Sequence, residues 1–256
     1  MVTSFTPLIG PASVRANAKI DTFFAMVANA RLVLTPLGIS SSKRGTQEAV
    51  RRLTGAHASI DDLFGTLHSL RDTKLKKGIP IARLSHGEVD ILRSALVFSG
   101  AGLDAVLKQL TRDALPTLLV GHSAAQGALR EYSGRLTTAE PTKARSILMS
   151  LNPTKALRDA YMADLTKGSL QGHTELIKLR KSLGLPDAGN LSDTSLAGFS
   201  DFFIARNQVV HELDLLKPMG PGTFTRRTRK MKETRDRCDA AITLASDFIV
   251  ATEGFL

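Results

Sequence analysis

The chain has 256 residues, 43% of them hydrophobic, so it can bury a sizeable core, and with aromatics at 5% and no Trp that core is aliphatic. Its 34 Lys and Arg against 24 Asp and Glu give a formal net charge of +10, which favours a polyanionic partner such as RNA or DNA. One cysteine, Cys238, excludes an internal disulfide and suits a reducing compartment; with no run of about eighteen apolar residues and no basic-then-apolar leader, the expectation is a cytoplasmic protein without a membrane partner.

Residues 1–18 read as an arm punctuated by Pro7, Gly10 and Pro11. A helix is predicted over 20–34, with Phe23, Phe24, Val27 and Leu34 near one side, stopped by Pro36 and Gly38. Residues 46–77 read as helical again, with Ser59 and Asp62 as a capping pair and a basic tail. Gly78 and Pro80 then break the pattern, which divides the chain into a helical N-terminal extension, 1–80, and a larger domain, 81–256.

The 86–115 segment has a seam of Val89, Leu92, Leu96, Leu103, Leu107 and Leu110, and Val97, Phe98 and Val106 widen it to the breadth of a helix in the middle of a bundle. Inside it SGAG, residues 99–102, lowers helix propensity while permitting close approach by a neighbour. Arg93 and Asp104 border the seam, where ion pairs within or between helices are expected of them. Pro116 ends or kinks this helix. Further helices are predicted over 124–136, 142–151, 154–166 and 171–183, the last capped by Ser169, and a loop follows at Gly184, Pro186, Gly189 and Asn190.

Over 199–216 the residues Phe199, Phe202, Phe203, Val209, Val210, Leu213 and Leu216 recur at helical spacing. Arg206 projects within about 20° of Phe199, in the middle of that apolar face, where an unpaired guanidinium is expensive to bury. The face must therefore open there onto a cleft, a partner surface or an anion. Asn207 and His211 share the flank beside Arg206, with Asp214 near the same line. A guanidinium grips phosphate with two hydrogen bonds, and an imidazole exchanges a proton near neutral pH, so the set suits a phosphodiester. Arg206 and His211 are roughly 140° apart around the helix, which makes one copy a loose site that a second copy would complete. An exposed loop, KPMGPGTFT, precedes a last helix predicted to begin near Phe224. Arg226, Arg227, Arg229 and Lys230 in its first turns are candidate phosphate contacts, and its second half is apolar. No convincing strand is found, so the fold class is all-α, a helical bundle with a helical N-terminal extension.

VGHSAA, residues 120–125, approximates a nucleophile elbow, but Ala125 stands where the last glycine belongs and no strand precedes it. The six histidines include no pair four apart and no cysteine cluster, so no metal site is predicted, and no glycine-rich phosphate loop opens a helix. The order FSGAGLDAVLKQL, then LPTLL, then LTKGSLQG, then IARNQVVHELD resembles the HEPN superfamily, in particular RiboL-PSP-HEPN-like domains, over residues 85–255. Its R-x4-6-H motif would fall on Arg206 and His211, with Asn207 in the polar position after the arginine. The resemblance implies an all-helical, dimeric, metal-independent endoribonuclease without cofactor. In it Arg206 would bind the scissile phosphate, His211 would move the 2′-hydroxyl or leaving-group proton, and Asn207 would orient one of them or contact RNA. It also implies toxin or phage-defence roles, with an antitoxin or another defence protein as partner. Relatives that have lost activity supply the alternative, a non-catalytic helical module that binds nucleic acid or a partner protein.

Overall fold

Two long helices frame the molecule. The first, α1, Gln47–Lys76, places Ala49, Leu53, Ile60, Phe64 and Leu67 on one buried stripe at spacings of three, four and seven. Glu48 in its first turn and Lys74 and Lys76 in its last complement the helix dipole. Ser59 lies inside this helix and donates its hydroxyl to the Gly55 carbonyl at 3.0 Å, so the capping pair expected there is not a helix start.

The second, α2, His86–Gly121, opens with a capping box in which Ser85 N donates to Glu88 Oε2 at 2.6 Å. It runs through Pro116 to Gly121, so the proline does not end it. Leu92, Leu96, Leu103, Leu107 and Leu110 of its seam are buried as predicted, with Val106, but Val89 and Val97 are half-buried and Phe98 is exposed, so the apolar face is narrower than expected toward the start of the helix; it packs against α1 and four later helices. SGAG allows a close approach of the two helices: a Cβ built on Gly102 would stand 2.7 Å from the Ala56 Cβ of α1.

This computed structural model describes residues 30–41, 43–217 and 225–256. After α2 come α3 (Ser123–Ala139), α4 (Pro141–Leu148), α5 (Pro153–Thr166), α6 (His173–Ser182), α7 (Ser200–Glu212) and α8 (Met231–Glu253), with a one-turn helix at Asp193–Ala197. Asn152 caps α5 by accepting from Lys155 N at 3.0 Å. Gly172, not Ser169, stands at the start of α6. The loop after α6 is pinned by Arg180, whose buried guanidinium pairs with Asp187 at 3.1 Å and Asp193 at 2.6 Å. The fold is an all-α bundle, and among the described residues the only strand-like pairing is an isolated antiparallel bridge between Leu215 and Arg226.

The core does not break at residue 80. Leu53, Phe64 and Leu67 of α1 belong to the same apolar cluster as Leu96, Leu103, Leu176 and Phe248, and Gly78 with φ +67° turns the chain from α1 back along α2. The described part of the predicted 20–34 helix, residues 30–34, is not helical. Leu34 is buried there, and Thr35 bonds Asp239 of α8 through its amide at 2.6 Å and its hydroxyl at 2.7 Å. The rest of that helix and the arm 1–18 lie outside the described residues, as does most of the KPMGPGTFT loop. No helix among the described residues is long and apolar enough to cross a membrane. Cys238 is fully buried in α8, and burial pushes its thiol up to about 12, so it is inert as a nucleophile at neutral pH.

Candidate active site

The candidate residues sit on α7, which is held by its first half. Phe202, Phe203 and Ala205 are buried, with the two rings edge-on at 5.4 Å, and Phe199 and Val209 are half-buried. The second half of the predicted seam departs from expectation. The helix ends at Glu212, and Val210, Leu213 and Leu216 face solvent, with Leu213 65% exposed. Leu213 and Asp214 both take left-handed backbone, φ +50° and +58°, and Asp214 N turns back to the Gln208 carbonyl at 2.7 Å.

A buried acid explains that turn. The Asp214 carboxylate has no exposed surface and accepts from Arg93 Nε of α2 at 2.8 Å, from Arg229 Nε at 3.0 Å and from Arg229 Nη2. Arg229 further donates to the Ala205 carbonyl at 3.3 Å and to Gln208 Oε1 at 3.2 Å. Residues 225–230 are thereby drawn into an extended strap along the end of α7, with Arg227 N donating to the Asp214 carbonyl at 2.7 Å. The last helix therefore begins at Met231, not Phe224, and the four candidate phosphate cations precede it.

Those cations separate. Arg229 is buried under Asp214 and offers nothing to a ligand. Arg227 pairs with Glu212 at 3.1 Å and also bonds the Leu215 carbonyl. Arg226 is exposed beside Asp90 at 3.0 Å, and Lys230 is exposed with no ion pair among the described residues. Arg93 and Asp104 make the ion pairs expected of border residues: Arg93 with Asp90 at 2.7 Å and with Asp214, Asp104 with Lys108 at 2.8 Å.

Arg206 is half-buried, and its stem lies flat on α2 over Gly100. Its Nε is buried without an acceptor, its Nη1 donates to Asn207 Oδ1 at 3.1 Å, and it has no carboxylate partner among the described residues. By contrast the buried Arg71, Arg93, Arg180 and Arg229 each face an acid. Arg158 of α5 is another half-buried arginine without an ion pair among the described residues, but no histidine lies on its helix. Asn207 and His211 are exposed, one turn apart on the outer side of α7.

Gly100 and Asp104 of α2 tie the segment before α6 to the helix on which this arginine rests. Leu170 N donates to Asp104 Oδ1 at 2.7 Å, and Gln171 Nε2 donates to the Gly100 carbonyl at 3.0 Å. Gln171 Oε1 is buried without a partner among the described residues. Gly100 and Gln171 carried no predicted site role. The close-approach signal in SGAG was the one sequence feature that marked Gly100.

Two grooves flank α7. One, of about 430 Å³, is lined by Arg93, Val97, Phe98, Val209, Leu213 and Arg226; the other, of about 570 Å³, by Phe199, Phe202, Lys230, Glu233 and Arg237. Neither is lined by Arg206, Asn207 or His211, so a single chain does not enclose the guanidinium and the imidazole in one of these cavities. No group of three or more His, Cys, Asp or Glu among the described residues is placed to hold a metal. What α7 presents is a cation without an ion pair among the described residues, an amide beside it and an exposed imidazole, groups whose chemistry suits an anion and a proton transfer. Comparison with family models, curated proteins and solved structures returns no match.

Proposed function

We propose that the chain is an HEPN-like endoribonuclease that cleaves RNA across a pair of copies, with Arg206, Asn207 and His211 of each facing the other. The observation that carries this reading is the half-buried Arg206 guanidinium, which has no acid partner among the described residues, whereas Arg71, Arg93, Arg180 and Arg229 each have one. A cation desolvated in this way gains from a charge-assisted contact with an anion, and the planar guanidinium matches a phosphate with two hydrogen bonds. In the reaction one imidazole removes the 2′-hydroxyl proton, the resulting oxyanion attacks phosphorus, and the P–O5′ bond breaks. The 5′ oxygen takes a proton from the second imidazole, leaving a 2′,3′-cyclic phosphate and a 5′-hydroxyl. Arg206 offsets the charge that builds on the phosphoryl oxygens.

The test is cleavage of single-stranded RNA in excess EDTA, by the wild type and by His211→Ala. His211 is exposed and makes no hydrogen bond or ion pair among the described residues, so its loss should abolish cleavage and shift the melting temperature by less than about 2 °C. Cleavage that persists in the variant, or that requires added metal, defeats the mechanism. RNA binding without cleavage by the wild type would favour the non-catalytic module, for which exposed Arg226 and Lys230 are the candidate phosphate contacts.

A further inference from the structure

We propose that Gly100 is the seat of Arg206, a position whose missing side chain sets where the phosphate-gripping guanidinium lies, with Gln171 closing the seat from the segment before α6. The inference rests on the endoribonuclease reading for what Arg206 grips, and on geometry alone for where Arg206 lies.

Gly100 stands buried in the interior of α2, with ordinary helical backbone and no turn to make. Alanine would form the helix better there, so backbone freedom does not account for the glycine. Space does. A Cβ at this position would come within 3.2 Å of Arg206 Cγ, 3.3 Å of Nε and 3.5 Å of Cδ, the first two closer than ordinary van der Waals contact. Gly102, two residues on, makes room for something different, since its Cβ would meet Ala56 of α1 at 2.7 Å. One glycine admits a neighbouring helix, and the other admits a functional side chain.

The polar groups around Gly100 point the same way. Its carbonyl accepts from Gln171 Nε2 at 3.0 Å, while Gln171 Oε1 and Arg206 Nε are both buried without partners among the described residues. A buried polar atom of this kind calls for a partner, and here two of them lie on the residues that touch Gly100. With Nε against α2 and Nη1 on Asn207, the Nη2 edge is left without an acceptor among the described residues. The seat thus fixes which edge of the guanidinium is offered to an anion. A Cβ here requires Arg206 to give by a few tenths of an ångström, and since a misplacement of about 1 Å can cost ~100-fold in rate, the smaller shift is expected to cost up to ~10-fold. Gly100 is therefore a positioning residue that acts through Arg206.

The experiment compares Gly100→Ala and Gly102→Ala in the full chain by thermal melting, by steady-state cleavage of single-stranded RNA, and by the Nε–H resonance of Arg206, assigned through its loss in Arg206→Lys. For Gly100→Ala we expect an unchanged or higher melting temperature, an Arg206 resonance that shifts and exchanges faster with water, and kcat lowered ~3- to 10-fold with KM changed less than about twofold. For Gly102→Ala we expect a lower melting temperature with kcat per folded molecule unchanged. A resonance that stays in place in Gly100→Ala overturns the seat. A resonance that moves while kcat holds overturns its role in positioning, as does a lower melting temperature with full kcat. A wild type that cleaves nothing defeats the nuclease reading instead, and the resonance alone then decides whether Gly100 seats Arg206.

Discussion

Asp214 shows how far one buried residue can reorganise what surrounds it. Its carboxylate sits with no exposed surface between Arg93 and Arg229, next to a leucine that also holds positive φ. Two consecutive non-glycine residues in the left-handed region cost on the order of 1 kcal/mol each, and they persist only where the surroundings over-determine them. Asp214→Ala would leave two buried guanidinium groups facing a void. The expected loss is about 3–5 kcal/mol, or roughly 10 °C in melting temperature for a domain of this size, measured by thermal denaturation. The contrast with His211→Ala is informative, because the two residues are three apart. One should cost stability and the other activity, and a His211 variant as unstable as the Asp214 variant would mean that the imidazole is structural.

At the scale of the element, the hairpin of α1 and α2 is locked by Glu88, which is buried and bonded to Ser85 N at 2.6 Å, Ser85 Oγ at 2.7 Å and Lys74 Nζ at 2.7 Å. Burial alone would push this carboxyl up. The hydrogen bonds from Lys74 and Ser85, with the Lys74 charge, outweigh it and hold the group below its ordinary value of 4.5. A carboxyl depressed in the folded state contributes stability above its unfolded value and loses that contribution as the pH falls through the folded one. The melting temperature should therefore drop as pH is lowered below about 4.5, and Glu88→Gln should lower it at pH 7 while flattening the acid drop. An acid limb of equal steepness in the variant would remove Glu88 from the account.

The helices legible in the sequence were those whose partners are apolar. The seam of Leu92, Leu96, Leu103, Leu107 and Leu110 is buried as its spacing indicates, because hydrophobic burial is non-directional and needs only a periodic face. The ends of α7 and α8 were not legible in the same way. Leu213 continues the apolar period but stands in a left-handed cap that usually calls for glycine, and residues 225–230 read as a helical turn until Asp214 draws Arg229 out of it. Both endings depend on a contact between residues 214 and 229, which neither propensity nor periodicity encodes. In the candidate site the arginine was marked by its misplacement in an apolar face. Its seat was half-marked, since SGAG announces close approach without saying to what.

The whole molecule raises the question of what completes α7. Gly78 and Pro80 look the same in sequence whether they join two domains or turn a hairpin, and here they turn one, so α1 belongs to the bundle that carries the candidate site. That bundle leaves apolar side chains uncovered close to α7: Phe98 is 51% exposed and Leu213 65%, both on the groove of about 430 Å³, and Ile204 and Val210 are exposed on α7 itself. Arg206 lies on the inner side of the same helix and His211 on the outer side, so one chain holds the two groups roughly 140° apart. A second copy seated on this face would bury the exposed residues and bring its own imidazole toward the first copy's guanidinium. Each chain is 27.5 kDa, so sedimentation of the wild type at micromolar concentration should give about twice that mass. Phe98→Asp combined with Leu213→Asp should return it to the single-chain mass and abolish RNA cleavage together, with melting changed by no more than a few degrees because both side chains are exposed. If the monomeric variant still cleaved at the wild-type rate, Arg206 and His211 of one chain would have to suffice, and the two-copy arrangement would be wrong however well it fits the exposed surface.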